Sequence, residues 1–157
     1  MPRASLAALV VAAALGVPAN SSSARDPDLA AALALVKRQC PSPSAGIATD
    51  EWVSGWTFNA LYGNCEAGDG RDQHVWLFKG PRLLRTDTRE PDSSKDIIGL
   101  WRTGDTIAFM YVLYRRSDSN CCPTGGGEIV RFQLRGNHVR NLDLLPPHQL
   151  GSIAIGR

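Results

Sequence analysis

TIAFMYVLYR, residues 106–115, decides how this chain folds. Ile107, Phe109, Tyr111 and Leu113 form one alternating set, and Ala108, Met110, Val112 and Tyr114 form the other. Both sets are apolar, so the segment reads as a strand covered on both sides and placed in the middle of a sheet. The neighbouring sequence supplies its partners. Thr103-Gly104-Asp105 is a tight connection from a strand expected at residues 97–102. Downstream, residues 117–127 form a long polar connection holding Cys121, Cys122 and the run Gly125-Gly126-Gly127. Residues 128–135 then alternate cleanly, with Val130, Phe132 and Leu134 against Arg131, Gln133 and Arg135. Gly136-Asn137 is a good two-residue hairpin turn, and residues 138–144 return.

Further upstream the pattern repeats. HVWLFK (74–79) is a strand, Gly80-Pro81 interrupts it, and residues 82–86 resume. DTREPDSSK (87–95) reads as a polar loop. Residues 50–72 carry Trp52, Val53, Trp56, Phe58, Leu61 and Tyr62, too many apolar groups for a solvated loop. A short strand near 55–60 and a tucked loop carrying Cys65 are expected there. Residues 41–49 (PSPSAGIAT) look irregular.

One helix precedes the strands. Asp26 suits the N-cap and Pro27 the first helical position. Leu29, Leu33, Val36 and Cys40 fall on one face. Lys37 and Arg38 match the negative end of the helix dipole, and Pro41 stops the helix. Its stripe must be buried, so the Cys40 sulfur is expected to face the core. The fold class is therefore α+β: an antiparallel β-meander of five or six strands with one N-terminal helix packed on the sheet.

Residues 1–24 read as a secretory signal peptide. Arg3 gives a positive start, residues 6–17 an apolar run too short to span a bilayer, and Ala19 or Ala24 a cleavage site. Residues 25–157 then form a single disulfide-bonded domain. The chain is 157 residues long with a formal charge of +2, and loss of Arg3 leaves about +1. That balance gives no general attraction to nucleic acid or to an anionic membrane. No stable membrane insertion is expected after signal cleavage.

Cys40, Cys65, Cys121 and Cys122 are the chain's 4 cysteines. In an exported chain an even set reads as disulfides. A direct Cys121–Cys122 bond closes a small ring between adjacent α-carbons, which disfavours it. The expected pairing sends one of the adjacent pair to Cys40 and the other to Cys65, with the order open. The bridge from Cys40 would span about eighty residues and stabilise by roughly 4 kcal/mol in the chain-entropy model. Zinc is disfavoured because adjacent cysteines lack the usual spacer.

No catalytic motif appears. The glycine run lacks the lysine and hydroxyl of a phosphate loop. Glu66, Asp69 and Asp72 do not follow EF-hand spacing. His74, His138 and His148 lie outside any nucleophile elbow or zinc-protease motif. No cofactor and no metal are expected. Arg131 and Arg135, with Arg115, Arg140 and Arg82, could line one basic face, with Asp87 and Glu90 as solvated counter-charges. The tryptophans at 52, 56, 76 and 101 read as core more readily than as a binding platform.

From His74 onward the sequence resembles the LppP/LprE family of bacterial envelope proteins. The resemblance rests on HVWLFKGPRLLRTDT (74–88), SNCCPTGGGEIVRFQLRGNHVRNLDLLP (119–146) and, more loosely, LYGNC (61–65). Asn120, Pro123, Thr124 and Gly125 match a loop of the family, and Arg131 matches a strand arginine. The resemblance implies an envelope location and a small sheet-rich domain, and it implies no reaction. The family's lipid-bearing cysteine has no counterpart directly after the apolar run, so no lipid anchor is expected.

The functional expectation is an exported, periplasmic, envelope or secreted domain without catalysis. It would bind an unknown envelope or extracellular partner through the sheet and the Cys121/Cys122 loop. Arg131, Arg135, Pro123 and Gly125 are the contact candidates. The alternatives are an inhibitor of a secreted hydrolase, or a small hydrolase in which two of Asp50, Glu51, Asp69, Asp72, His74 and Asp143 converge in a pocket.

Overall fold

A computed structural model of the chain describes residues 26–40, 46–65, 73–88, 95–119 and 121–146. The signal segment, the acidic positions 66, 69 and 72, Glu90, Asn120 and His148 lie outside the described residues. Helix α1 spans Pro27–Gln39. The strands are β1 (Ile47–Ala48), β2 (Phe58–Asn64), β3 (Gln73–Lys79), β4 (Arg82–Thr86), β5 (Lys95–Thr103), β6 (Thr106–Leu113), β7 (Gly127–Arg135) and β8 (His138–Asn141).

The strands form two sheets, where one meander was expected. The first has the order β1-β2-β3-β4 and the second β5-β6-β7-β8, all antiparallel. The chain passes from one sheet to the other between β4 and β5, through the stretch read as a polar loop. The two sheets pack face to face. Phe58, Ala60, Val75 and Leu77 from the first meet Ile97, Ile107, Phe109, Tyr111, Leu113, Val130 and Phe132 from the second. Alternation sends the next residues the other way. Leu61, Trp76 and Phe78 therefore leave the far side of the first sheet and pack with Leu29, Ala32, Val36, Cys40 and Trp52. The molecule is three layers deep: helix, sheet, sheet.

The helix forms as its local signals dictate. Asp26 Oδ1 accepts from the amides of Asp28 and Leu29 at 2.9 and 3.2 Å. Its other oxygen accepts from Trp52 Nε1 at 2.9 Å and Ser54 Oγ at 2.7 Å. These bonds hold the Asp26 carboxyl below the usual range, the Ser54 bond first among them. Ala32 joins the buried stripe, while Leu33 is only half-buried.

The expected disulfide pairing is overturned. Cys40 bonds Cys65, with α-carbons 4.8 Å apart, and Cys121 bonds Cys122. The end of α1 sets Cys40 beside the end of β2, where its sulfur lies 3.5 Å from the Asn64 carbonyl oxygen. Cys121 and Cys122 belong to the β6–β7 connection of the other sheet, and both are exposed. The Cys40–Cys65 link closes 25 residues, which lowers its chain-entropy contribution to roughly 3.5 kcal/mol. A bond between neighbours contributes little by that route.

Asp87 differs from its expected solvated role. It is buried, accepting from Val75 N at 3.0 Å and from Tyr111 Oη at 2.9 Å. His74 Nδ1 lies 3.4 Å from Asp87 Oδ1, also buried. Because Tyr111 belongs to the second sheet and Val75 to the first, Asp87 pins the two together. Gln73 makes a second pin, donating to Asp96 Oδ1 at 3.0 Å and accepting from Ile97 N at 2.6 Å.

Candidate functional site

Helix α1 covers the outer side of the first sheet. Nothing among the described residues covers the outer side of the second. Directly opposed residues of antiparallel strands share a face, so the register draws that surface row by row. Ile98, Met110 and Ile129 make one row. Trp101, Ala108 and Arg131 make the next. Thr103, Thr106, Gln133 and Arg140 make a third, and Arg135 with His138 a fourth. The face grades from apolar to basic across about four rows, spaced by the strand geometry.

The apolar end is open to water. Ile98 and Ile129 are each 49% exposed, Trp101 is 41% and Leu100, at a register shift in β5, is 39%. Met110 and Val112 are half-buried, which corrects the expectation that β6 is covered on both sides. Trp52 and Trp76 are core residues as expected, whereas Trp56 and Trp101 reach the surface.

The basic end keeps only part of its charge in hand. Arg131 forms a two-pronged pair with Asp143, at 2.8 and 2.7 Å. That pairing holds the Asp143 carboxyl below its usual range and raises the guanidinium. Arg135 and Arg140 are exposed and form no ion pair among the described residues. Arg115 sits on the β6–β7 connection and Arg82 on β4 of the other sheet, so the five arginines do not make one face.

The β6–β7 connection rises beside the apolar end. Asp118 organises it: Oδ2 accepts from Arg115 N and Thr124 N, each at 2.7 Å, and Oδ1 from Thr124 Oγ1 at 2.7 Å. The two backbone bonds hold the Asp118 carboxyl below its ordinary range, the Arg115 bond first. Gly125 N donates to Leu113 O, and Leu113 N to Gly126 O, both at 2.8 Å, so the glycine run closes the ladder. Pro123 is half-buried within this frame.

The hydrolase candidates among the described residues are dispersed. His74 is buried against Asp87, and Asp143 is bound by Arg131. Asp50 and Glu51 are neighbours, with Tyr62 Oη donating to Asp50 Oδ2 at 2.8 Å. A cleft of about 280 Å³ is lined by Gly46, Ile47, Ala48, Tyr62, Gly63, Asn64, Gln73 and Ile97. It brings no two of the candidate groups together. Among the described residues no cluster of three metal-ligating side chains occurs.

The sequence model of the LppP/LprE lipoprotein family matches residues 58–137. The chain belongs to this family. No curated protein and no solved structure matches it. Membership implies a location at the cell envelope. The LppP/LprE match starts at β2 and stops inside the β7–β8 turn, so it covers β2 to β7, the open apolar rows and the disulfide-bearing connection, and leaves out the edge strands β1 and β8. Helix α1 and Cys40 lie outside it. All four cysteines of this LppP/LprE protein are engaged in disulfides. No helix among the described residues is long and apolar enough to cross a membrane.

Proposed function

We propose that this protein is a non-enzymatic binding domain of the cell envelope, and that the open face of β5–β8 is its contact surface. One observation carries the reading: apolar rows led by Ile98 and Ile129 lie exposed beside Arg135 and Arg140. Soluble surfaces seldom gather so many large apolar side chains without a partner. Two carboxylates at the rim of this face are already hydrogen-bonded. Asp105 accepts from Gln133 and Thr106, and Asp143 accepts from Arg131. The surface therefore offers apolar area and surplus guanidinium together. Its complement is a protein surface with an apolar centre and a carboxylate rim. Gly125 and Pro123 shape the raised edge next to it.

Site-specific photo-crosslinking at Ile129 in intact envelopes tests this. One discrete protein adduct is expected, lost when Arg135 and Arg140 are both changed to Glu. The same probe at Lys37, on the solvent side of α1, should give none. No adduct at position 129, an adduct only to a second copy of the chain, or an adduct only to lipid would each overturn the reading.

A further inference from the structure

The Cys121–Cys122 bond lies in chemistry that the contact-face reading leaves unused. Both residues are exposed, whereas Cys40 is buried under the helix end. The joined α-carbons are 3.8 Å apart, nearer than the roughly 4.4 Å at which ordinary disulfides begin. Exposed bonds with constrained geometry are the ones that thiols open readily. Ser119 Oγ lies 3.2 Å from Cys121 Sγ, and Cys122 N donates to Ser119 O at 3.1 Å. The hydroxyl is thus fixed against one sulfur of the pair.

We infer that Cys121–Cys122 is a thiol–disulfide exchange site for a dithiol reductant, opened by attack on Cys122. A thiolate of the reductant bonds to Cys122 Sγ, and the Cys121–Cys122 bond breaks. Cys121 leaves as a thiolate, accepts a hydrogen bond from Ser119 Oγ and takes a proton from water. The second thiolate of the reductant then attacks the reductant sulfur of the mixed disulfide. Cys122 leaves in turn and is protonated. One disulfide has passed from the protein to the reductant, with two electrons and two protons passing the other way. A leaving thiolate stabilised by a hydrogen bond departs faster, which sets the direction of attack. The Asp118 bonds to Arg115 and Thr124 do not involve sulfur, so they keep the two thiols together for reoxidation.

Graded dithiothreitol on the oxidised full chain, with alkylation and peptide mass mapping, tests the site. Cys121 and Cys122 should become labelled together at a reductant concentration at least ~10-fold below that needed for Cys40 and Cys65. Circular dichroism should not change across that first step. Ser119→Ala should slow the opening several-fold while leaving the melting temperature unchanged. Opening of Cys40–Cys65 first or simultaneously, or an opening rate indifferent to Ser119→Ala, would overturn the inference.

Discussion

Arg102 is the residue on which the joint between the two sheets turns. Its guanidinium donates to Glu51 O at 2.9 Å, to Asn59 Oδ1 at 3.1 Å and to Phe58 O, and it lies 4.6 Å from the centre of the Trp56 ring. Burial draws it below its ordinary value, and Glu51 opposes that shift. Charged hydrogen bonds of this kind are each worth about 1.5–3 kcal/mol. Arg102→Ala should cost roughly 2–4 kcal/mol in urea unfolding. Arg102→Lys should recover little, because a lysine has no fork. Gly99 faces the same knot. A Cβ there would stand 2.5 Å from Glu51 Oε1 and 3.0 Å from Glu51 Cγ. Gly99→Ala should therefore destabilise by about 1–3 kcal/mol.

Glu51 makes the joint sensitive to pH. Burial raises its carboxyl above the ordinary value of 4.5. The folded state then holds the proton more tightly than the unfolded chain, so this group's contribution to stability falls as pH rises from 4.5 upward. Glu51→Gln should gain stability relative to wild type as pH rises through that window, and thermal melts at several pH values would show it. A constant difference would argue against the assignment.

At the scale of elements, the helix was legible in its bounds and caps, with Ala32 missed from its buried stripe, and the sheets only partly. Asp26, Pro27 and the stripe to Cys40 act within a few residues of one another, so sequence alone carries them. Asp26→Ala should cost about 1 kcal/mol through the cap, with the Trp52 bond lost besides. The strands at β3 to β8 were legible for the same reason, through alternation and turns. Gly136 opens the β7–β8 turn with φ +62°, a left-handed conformation that glycine adopts at no steric cost. Alternation shows that Phe78 and Leu77 point opposite ways, but not that one meets a helix and the other a second sheet. The crossing from β4 to β5 looked like any polar loop, since the burial of Asp87 depends on Tyr111 from another strand. β1 was missed because two residues carry no period. The disulfides were misread because pairing is set by where the ends of α1 and β2 meet. Removing that link in a Cys40→Ser, Cys65→Ser variant should cost roughly 3.5 kcal/mol.

Among the described residues the molecule is asymmetric, one sheet covered by a helix and the other bare. The bare face was the part of the candidate site least visible in sequence. TIAFMYVLYR (106–115) reads as buried on both sides, because an apolar side chain meeting a partner looks the same as one meeting its own core. Arg131 and Arg135 were legible as a face, while the Asp143 clamp on Arg131 was not. Ile98→Ser with Ile129→Ser should alter folding stability by no more than about 1 kcal/mol, since both side chains are half in water. The same variant should lose the crosslinked adduct, separating contact from fold.

Peptide mapping of the oxidised, folded chain under non-reducing conditions tests this layered arrangement most directly. A Cys40–Cys65 bridged peptide, with Cys121 and Cys122 joined only to each other, is the expected pattern. A bridge from Cys40 or Cys65 to Cys121 or Cys122 would tie the β6–β7 connection to the helix side and contradict the architecture.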